Sequence, residues 1–139
     1  MITIEEAKKE LREYQQNIKY IKEKQNDALE LRTRLESTTK RLSGMPSGKG
    51  GNLDRDMLAE SIDKMDKIIA ECDKKLQELL LKKFVVENKI EMLDQPFKSI
   101  LFIRYIRNND FAEVARKIGY GERHIHRLHG EALQKYAEI

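Results

Sequence analysis

Two long amphipathic patterns occupy the first two thirds of the chain. Apolar residues recur at alternating three- and four-residue intervals, and Glu and Lys fill most of the positions between them. This spacing is typical of a helix that presents an apolar seam to another helix. The first seam contains Ile4, Ala7, Leu11, Tyr14, Ile18 and Ile21, then Gln25, Ala28, Leu31, Leu35 and Leu42. The second contains Leu58, Ile62, Met65, Ile69, Cys72, Leu76, Leu79, Val86, Ile90 and Leu93.

A glycine-rich stretch separates the two seams. Residues 43–52 contain four of the seven glycines and one of the two prolines, so we expect a loop there. Two seams of similar length joined by a loop predict a long antiparallel, coiled-coil-like hairpin, although the same seams could also pair between chains. Lys49 does not make this stretch a phosphate loop, because the spacing differs from that motif and no strand precedes it.

The pattern changes at Pro96. Proline disfavours the helical conformation of the residue before it, so Asp94-Gln95-Pro96 ends the second long helix. The apolar spacing beyond it is that of short, compact helices. The sequence therefore predicts an all-α fold in two parts, a hairpin domain at 1–94 and a small C-terminal domain at 95–139.

The C-terminal part follows the pattern of a helix-turn-helix. Asp110 and Glu113 have the form of a capping box that opens one helix, and Gly119 supplies the left-handed conformation that ends it. Ala115 is small enough for the place where the two helices cross. The apolar residues expected to join the helices are Val114, Ile118, Tyr120, Ile125 and Leu128. A packing lobe without DNA contact would show much of the same pattern.

The outward face of the second helix predicts a DNA-reading surface. The N-terminal end of such a helix enters the major groove, where Arg pairs with guanine and His donates to guanine or phosphate. The residues expected to face the bases are Glu122, Arg123, His124, His126 and Arg127. The residues expected near the phosphates, where they add salt-dependent affinity, are Arg107, Arg116 and Lys117.

Composition narrows the choice of function. The net charge of +3 is only mildly basic, but residues 96–139 hold eight basic and five acidic side chains and all three histidines. One cysteine excludes a disulfide scaffold, and the chain shows neither a signal peptide nor a membrane span, so we expect a cytoplasmic protein. We expect no enzyme activity, cofactor or metal, because only His126 and His129 share a helix face and no nucleophile–base pair stands out.

The stretch from Leu93 to Tyr136 resembles region 4 of sigma factors and its relatives. The resemblance rests on the segments 102–105, 111–120 and 125–133, and Gly121 departs from it because that family often has a Ser cap there. The whole chain resembles small phage-encoded transcriptional regulators of the RinA/ArpU type in its long helices, its Gly-rich Met-Pro loop and the residues Tyr120, Ile125, His126, Arg127, Leu128, His129 and Gly130.

The resemblance implies binding to double-stranded DNA near a late promoter in a bacterial host cell. Such a protein would activate packaging and morphogenesis genes as a homo-oligomer, a dimer or a tetramer, with host RNA polymerase as a candidate partner. Two alternatives stay open. A small-terminase-like packaging component would usually place its DNA-binding motif first and form a larger ring, and a helical interaction protein would bind a partner without DNA. The operator, the sign of regulation and the oligomeric state are also open at this stage.

Overall fold

The described residues are helical. The computed structural model describes residues 1–44 and 53–139, and neither range contains a β-strand. The helices are α1 (Ile4–Gly44), α2 (Leu53–Glu91), α3 (Phe97–Leu101), α4 (Phe111–Ile118) and α5 (Glu122–Ala137). A π-helical turn, Phe102–Ile106, continues α3 without a break. The all-α prediction is confirmed for these ranges.

The predicted loop at 43–52 begins too early. Ser43 and Gly44 belong to the last turn of α1, because a single glycine near a helix end costs little helical stability. The other residues of that stretch, including Lys49, lie outside the described ranges.

A reciprocal cap fixes the start of α1. The backbone N–H of Thr3 donates to Oε2 of Glu6 at 2.9 Å, and the N–H of Glu6 donates to Oγ1 of Thr3 at 3.1 Å. Each side chain thus satisfies a backbone donor that has no partner within the helix. This cap stabilises the first turn of α1 even though Ile4, the first apolar residue of the seam, is exposed and adds little burial.

The chain divides into two compact units. Residues Met1–Lys19 and Leu80–Ile139 form the first unit, and Tyr20–Leu79 form the second. The predicted boundary between residues 94 and 95 therefore falls inside the first unit.

The core of the first unit combines both long helices with α5. Leu11 of α1, Ile90 of α2 and Tyr136 of α5 are almost completely buried in one hydrophobic cluster. The backbone N–H of Ile2 also donates to the carbonyl of Ala137 at 3.0 Å. The end of α5 is thus part of the same core as the first turns of α1.

Two polar contacts lie beside this core. The hydroxyl of Tyr14 donates to Glu87 at 2.8 Å, and the hydroxyl of Tyr136 donates to Glu10 at 3.0 Å. Burial first, and then the neighbouring carboxylate, raises the pKa of both tyrosines, so both hydroxyls stay protonated and keep donating. The Tyr14–Glu87 contact joins α1 to α2, with the helices running in opposite directions.

The second unit contains the middle part of the two seams. Ile21, Ala28 and Ile69 are buried there, while the guanidinium of Arg32 on α1 forms two hydrogen bonds of 2.8 and 2.7 Å with the carboxylate of Asp73 on α2. This contact joins the later half of α1 to the middle of α2, as expected of a hairpin that forms within one chain. No helix in the described part of the chain is long and apolar enough to cross a membrane.

Candidate nucleic-acid interface

Helix α4 begins at a side-chain cap. Oδ1 of Asp110 accepts a hydrogen bond from the backbone N–H of Glu113 at 2.8 Å. The reciprocal half of the expected capping box is not made, because the Glu113 carboxylate instead accepts two hydrogen bonds from Arg116, at 2.7 and 3.2 Å. These hydrogen bonds lower the pKa of Glu113. The start of α4 is therefore fixed by Asp110 alone.

The turn after α4 depends on two glycines. Gly119 has a φ of +88°, in the left-handed region, and its N–H donates to the carbonyl of Ala115 at 2.8 Å. Gly121 then takes an extended conformation, φ −66° and ψ 150°, and forms the N-cap of α5 without a side-chain hydrogen bond. The left-handed residue reverses the chain, so that α5 packs back against α4.

The contact between α4 and α5 forms a second hydrophobic cluster. Its buried members are Ile100, Val114, Ala115, Ile125 and Leu128, with Phe97, Ile103, Phe111 and Ile118 packed against them. The apolar positions of the predicted motif thus meet in one place, except Tyr120, which is 44% exposed. The ring of Tyr120 lies 4.9 Å from that of His124, between ring centroids.

The expected base-facing residues lie on the outer face of α5. Glu122, Arg123, His126 and Arg127 are exposed, and His124 is half-buried at the edge of this face. Nη2 of Arg127 donates to Nδ1 of His124 at 2.8 Å. A guanidinium can only donate, so Nδ1 of His124 is the acceptor in this hydrogen bond. The neutral form of the His124 ring that makes this bond carries its proton on Nε2.

The opposite edge of α5 faces Phe111. The ring centroid of His126 lies 4.4 Å from that of Phe111, and Nε2 of His126 lies 4.0 Å from the carboxylate of Glu122. His129, one turn further on, packs with its edge against Phe111 at 4.9 Å between centroids. Two of the three histidines therefore contact one aromatic ring at the start of α4.

The expected phosphate contacts lie apart from α5. Arg107 is exposed at the end of the π-helical turn, with its guanidinium 5.3 Å from the ring centroid of Phe102. Arg116 and Lys117 are exposed on α4, where Arg116 is held by Glu113. Among the described residues, Arg107, Arg116 and Lys117 form no hydrogen bond or ion pair with α5.

Sequence reasoning missed a basic groove beside α5. A cavity of about 610 Å³ has no carboxylate among its lining residues, all of which belong to the first unit. We name it the basic groove. Its cations are Lys8, Arg12, Lys19 and Arg104, and its other lining residues are Gln15, Gln16, Asn108, Tyr105, Phe111, His126 and His129.

A signal for this groove was present in α1. Lys8, Arg12, Gln15 and Lys19 each follow a seam residue directly, so they repeat at the same helical spacing on one flank of the seam. The other flank is acidic at Glu10. From the sequence alone the basic flank cannot be distinguished from an ordinary solvated face, because Arg104, which lines the same groove, is distant in the chain.

Arg104 is fixed in place at the floor of the groove. Its Nη1 donates to the carbonyl of Asn109 at 3.0 Å, and its Cζ lies 4.6 Å from the ring centroid of Phe111, a cation–π distance. Gln15 of α1 donates to the carbonyl of Arg104 at 3.3 Å and to Oδ1 of Asn108 at 3.0 Å. The buried Nε of Arg104 has no hydrogen-bond partner.

The electrostatics of His129 reflect its surroundings. Burial, followed by electrostatic repulsion from Arg104, His126 and Lys8, lowers the pKa of His129 to about 4. A proton on His129 is therefore opposed by the cations that line the groove, and its imidazole is neutral near pH 7.

Comparison with protein-family models, with curated proteins and with solved structures finds no match for this chain.

Proposed function

We propose that this protein is a sequence-specific DNA-binding regulator of transcription, of the phage type that its sequence resembles. In this proposal α4 and α5 form a helix-turn-helix. The observation that carries it is the packing of Val114 and Ala115 of α4 against Ile125 and Leu128 of α5, with Gly119 left-handed between the helices. A helix-turn-helix needs this small, apolar crossing so that its second helix projects from the surface.

Helix α5 would be the recognition helix. Arg123 and Arg127 would read bases, since a guanidinium forms two hydrogen bonds to guanine in the major groove. The hydrogen bond of Arg127 to His124 is made at an exposed site, so a base edge could replace it at small cost. Arg107, Arg116 and Lys117 would bind phosphates and position α5 on the duplex.

The long helices would serve as an oligomerisation arm. Leu81, Phe84 and Val85 of α2 are 67%, 53% and 50% exposed, as expected of residues that another copy covers. A dimer would read two half-sites about one helical turn apart, or a multiple of it, and a tetramer would repeat this arrangement. The resemblance extends the proposal to activation of late packaging and morphogenesis genes in the cytoplasm of a bacterial host, with RNA polymerase as partner.

Selection of bound fragments from the source genome tests the proposal. Purified protein would be incubated with sheared duplex at about 150 mM salt, where non-specific phosphate binding is weak. We expect enrichment of one short promoter-proximal element that contains related half-sites. Uniform recovery of all fragments, or recovery of none, would overturn sequence-specific regulation.

A further inference from the structure

We propose that the basic groove binds the phosphate backbone of the duplex, so that α1 is itself part of the DNA interface. The inference rests on the proposed DNA-binding function and adds to it a contact surface outside the helix-turn-helix. The residues that would touch phosphate are Arg12 and Lys19 of α1, with Lys8 beside them and Arg104 at the floor.

The first argument is the balance of charge. Lys8 has an ion pair, 3.6 Å from the carboxylate of Glu5, whose side chain is 85% exposed. Arg12, Lys19 and Arg104 have no carboxylate within 4 Å in the described part of the chain. These positive charges line one groove that has no carboxylate among its lining residues, so an anion bound there is attracted by several of them at once. Because the groove opens to solvent, the gain is salt-dependent, as phosphate binding generally is.

The second argument is preorganisation. Arg104 is held by Asn109 and Phe111, and Gln15 of α1 fixes the backbone of Arg104 against the same groove. A guanidinium that is already immobilised loses little conformational entropy when it binds an oxyanion. Burial is the main cause of the low pKa of His129, and Arg104 and Lys8, which line the same groove, lower it further.

The third argument concerns the size of the anion. Lys8 and Lys19 are eleven residues apart on α1, which corresponds to about 16 Å at 1.5 Å per residue. One strand of duplex DNA carries a phosphate about every 3.4 Å along its axis. The row of basic side chains from Lys8 to Lys19 is therefore long enough for several successive phosphates and is longer than one free phosphate.

The fourth argument is continuity with α5. His126 lies on the outer face of α5 and also lines the basic groove, where its ring contacts Phe111. A duplex whose major groove receives α5 has its sugar–phosphate strands at the edges of that helix. The basic groove begins at such an edge, and this position favours DNA over an unrelated small anion.

The salt dependence of duplex binding tests the inference in the full chain. Lys19→Gln and the double variant Arg12→Gln/Lys19→Gln remove exposed charges from the groove. The matched control is Lys82→Gln, which removes an exposed charge of α2 that lies outside the basic groove, in a depression with Glu10 and Glu13 of α1. Affinity for the selected fragment and for a random duplex would be measured between about 50 and 200 mM salt.

We expect the slope of log K against log salt to fall by about 0.9 for Lys19→Gln and by about twice that for the double variant. The ratio of specific to random affinity should stay constant, and Lys82→Gln should keep the wild-type slope. If the wild type selects its fragment but the double variant keeps the wild-type slope, the groove inference is wrong and the proposed function stands. If the wild type binds no duplex at all, both fail. Displacement of a labelled duplex by millimolar inorganic pyrophosphate, with no change of slope in the variants, would point to a small-anion site and overturn the backbone contact.

Discussion

The hydroxyl of Tyr105 lies 2.8 Å from Nε2 of His129. Tyr105 belongs to the hydrophobic core shared by α1, α2 and α5, whereas His129 contacts Phe111 at the start of α4. The pair therefore connects the main core of the first unit to the helices that carry the candidate interface. Burial raises the pKa of Tyr105 and lowers that of His129, so both groups are neutral over a wide range of pH.

This pair predicts a loss of stability in mild acid. His129 takes up a proton below about pH 6.5 in the unfolded chain but only below about 4 in the folded chain. Between these values the unfolded state binds more protons, so a fall in pH favours unfolding, and above them His129 contributes no pH dependence. At 1.36 kcal/mol per pKa unit, protonation of His129 can lower the free energy of unfolding by at most about 3 kcal/mol. Solvent screening of the partly exposed ring reduces it.

Urea unfolding at a series of pH values would measure this effect against His129→Gln. The amide of Gln offers Tyr105 a polar partner but does not titrate, so the variant should lose less stability than the wild type between pH 6.5 and 4. Parallel stability curves for the two proteins would show that other groups cause the acid sensitivity.

Two glycine substitutions should change stability in opposite directions. Gly119→Ala places a side chain at φ +88°, which we expect to cost about 1 kcal/mol. Gly130→Ala lies inside α5, where alanine should add about 0.5–1 kcal/mol. A new Cβ meets nothing within 4 Å at either position, so the backbone alone decides the sign. Thermal unfolding compares them, and destabilisation by both variants would contradict this account.

The crossing of α4 and α5 should tolerate no larger residue at position 115. Ala115 is 7% exposed within the second cluster, so Ala115→Leu should destabilise the protein by about 1–3 kcal/mol through overpacking. Ala112→Leu makes the same change at an exposed position of the same helix, and we expect an effect within about 0.5 kcal/mol. Equal denaturant midpoints for the two variants would disprove the close crossing.

Variants of the two helices should separate base reading from phosphate binding. Arg123→Ala and Arg127→Ala should each cost about 1–3 kcal/mol on the selected site and relax its sequence preference, because each would remove one of the proposed base contacts. Lys117→Ala should weaken binding to all duplexes alike and lower the salt slope by about 1. Competition binding with mismatched sites measures both effects. If both arginine variants keep full sequence specificity, α5 is not the recognition helix.

Hydrophobic periodicity was sufficient to predict the helices and much of the core. Leu11, Ile69 and Ile90 were placed on the seams by spacing, and they are buried because a helix in water hides its apolar side. The same logic located Val114 and Ile125, since their spacing and the glycine between the helices specify the crossing. These are local signals, which a sequence carries directly.

The basic groove could not be predicted in the same way. Arg12 and Arg104 are far apart in the chain, and only the packing of α1 against the C-terminal helices brings them to one cavity. The ion pair of Arg116 with Glu113 was missed for a related reason, because Glu113 can satisfy either a backbone cap or a neighbouring cation. Which partner it takes depends on geometry that composition and spacing do not contain.

The hydrogen bond from Ile2 to Ala137 joins the segment just before α1 to the end of α5, so the first unit needs segments that are synthesised at very different times. On the ribosome, α1 and α2 emerge before α5, so the cluster around Leu11 and Ile90 lacks Tyr136 until the end of α5 has been synthesised. The segments of this core are far apart in the sequence, so its contacts to α5 form only after a long stretch of chain has been made. Helix α5 therefore completes the core of the first unit after α1 to α4 have been made, and until then the apolar residues that α5 covers remain exposed on the nascent chain.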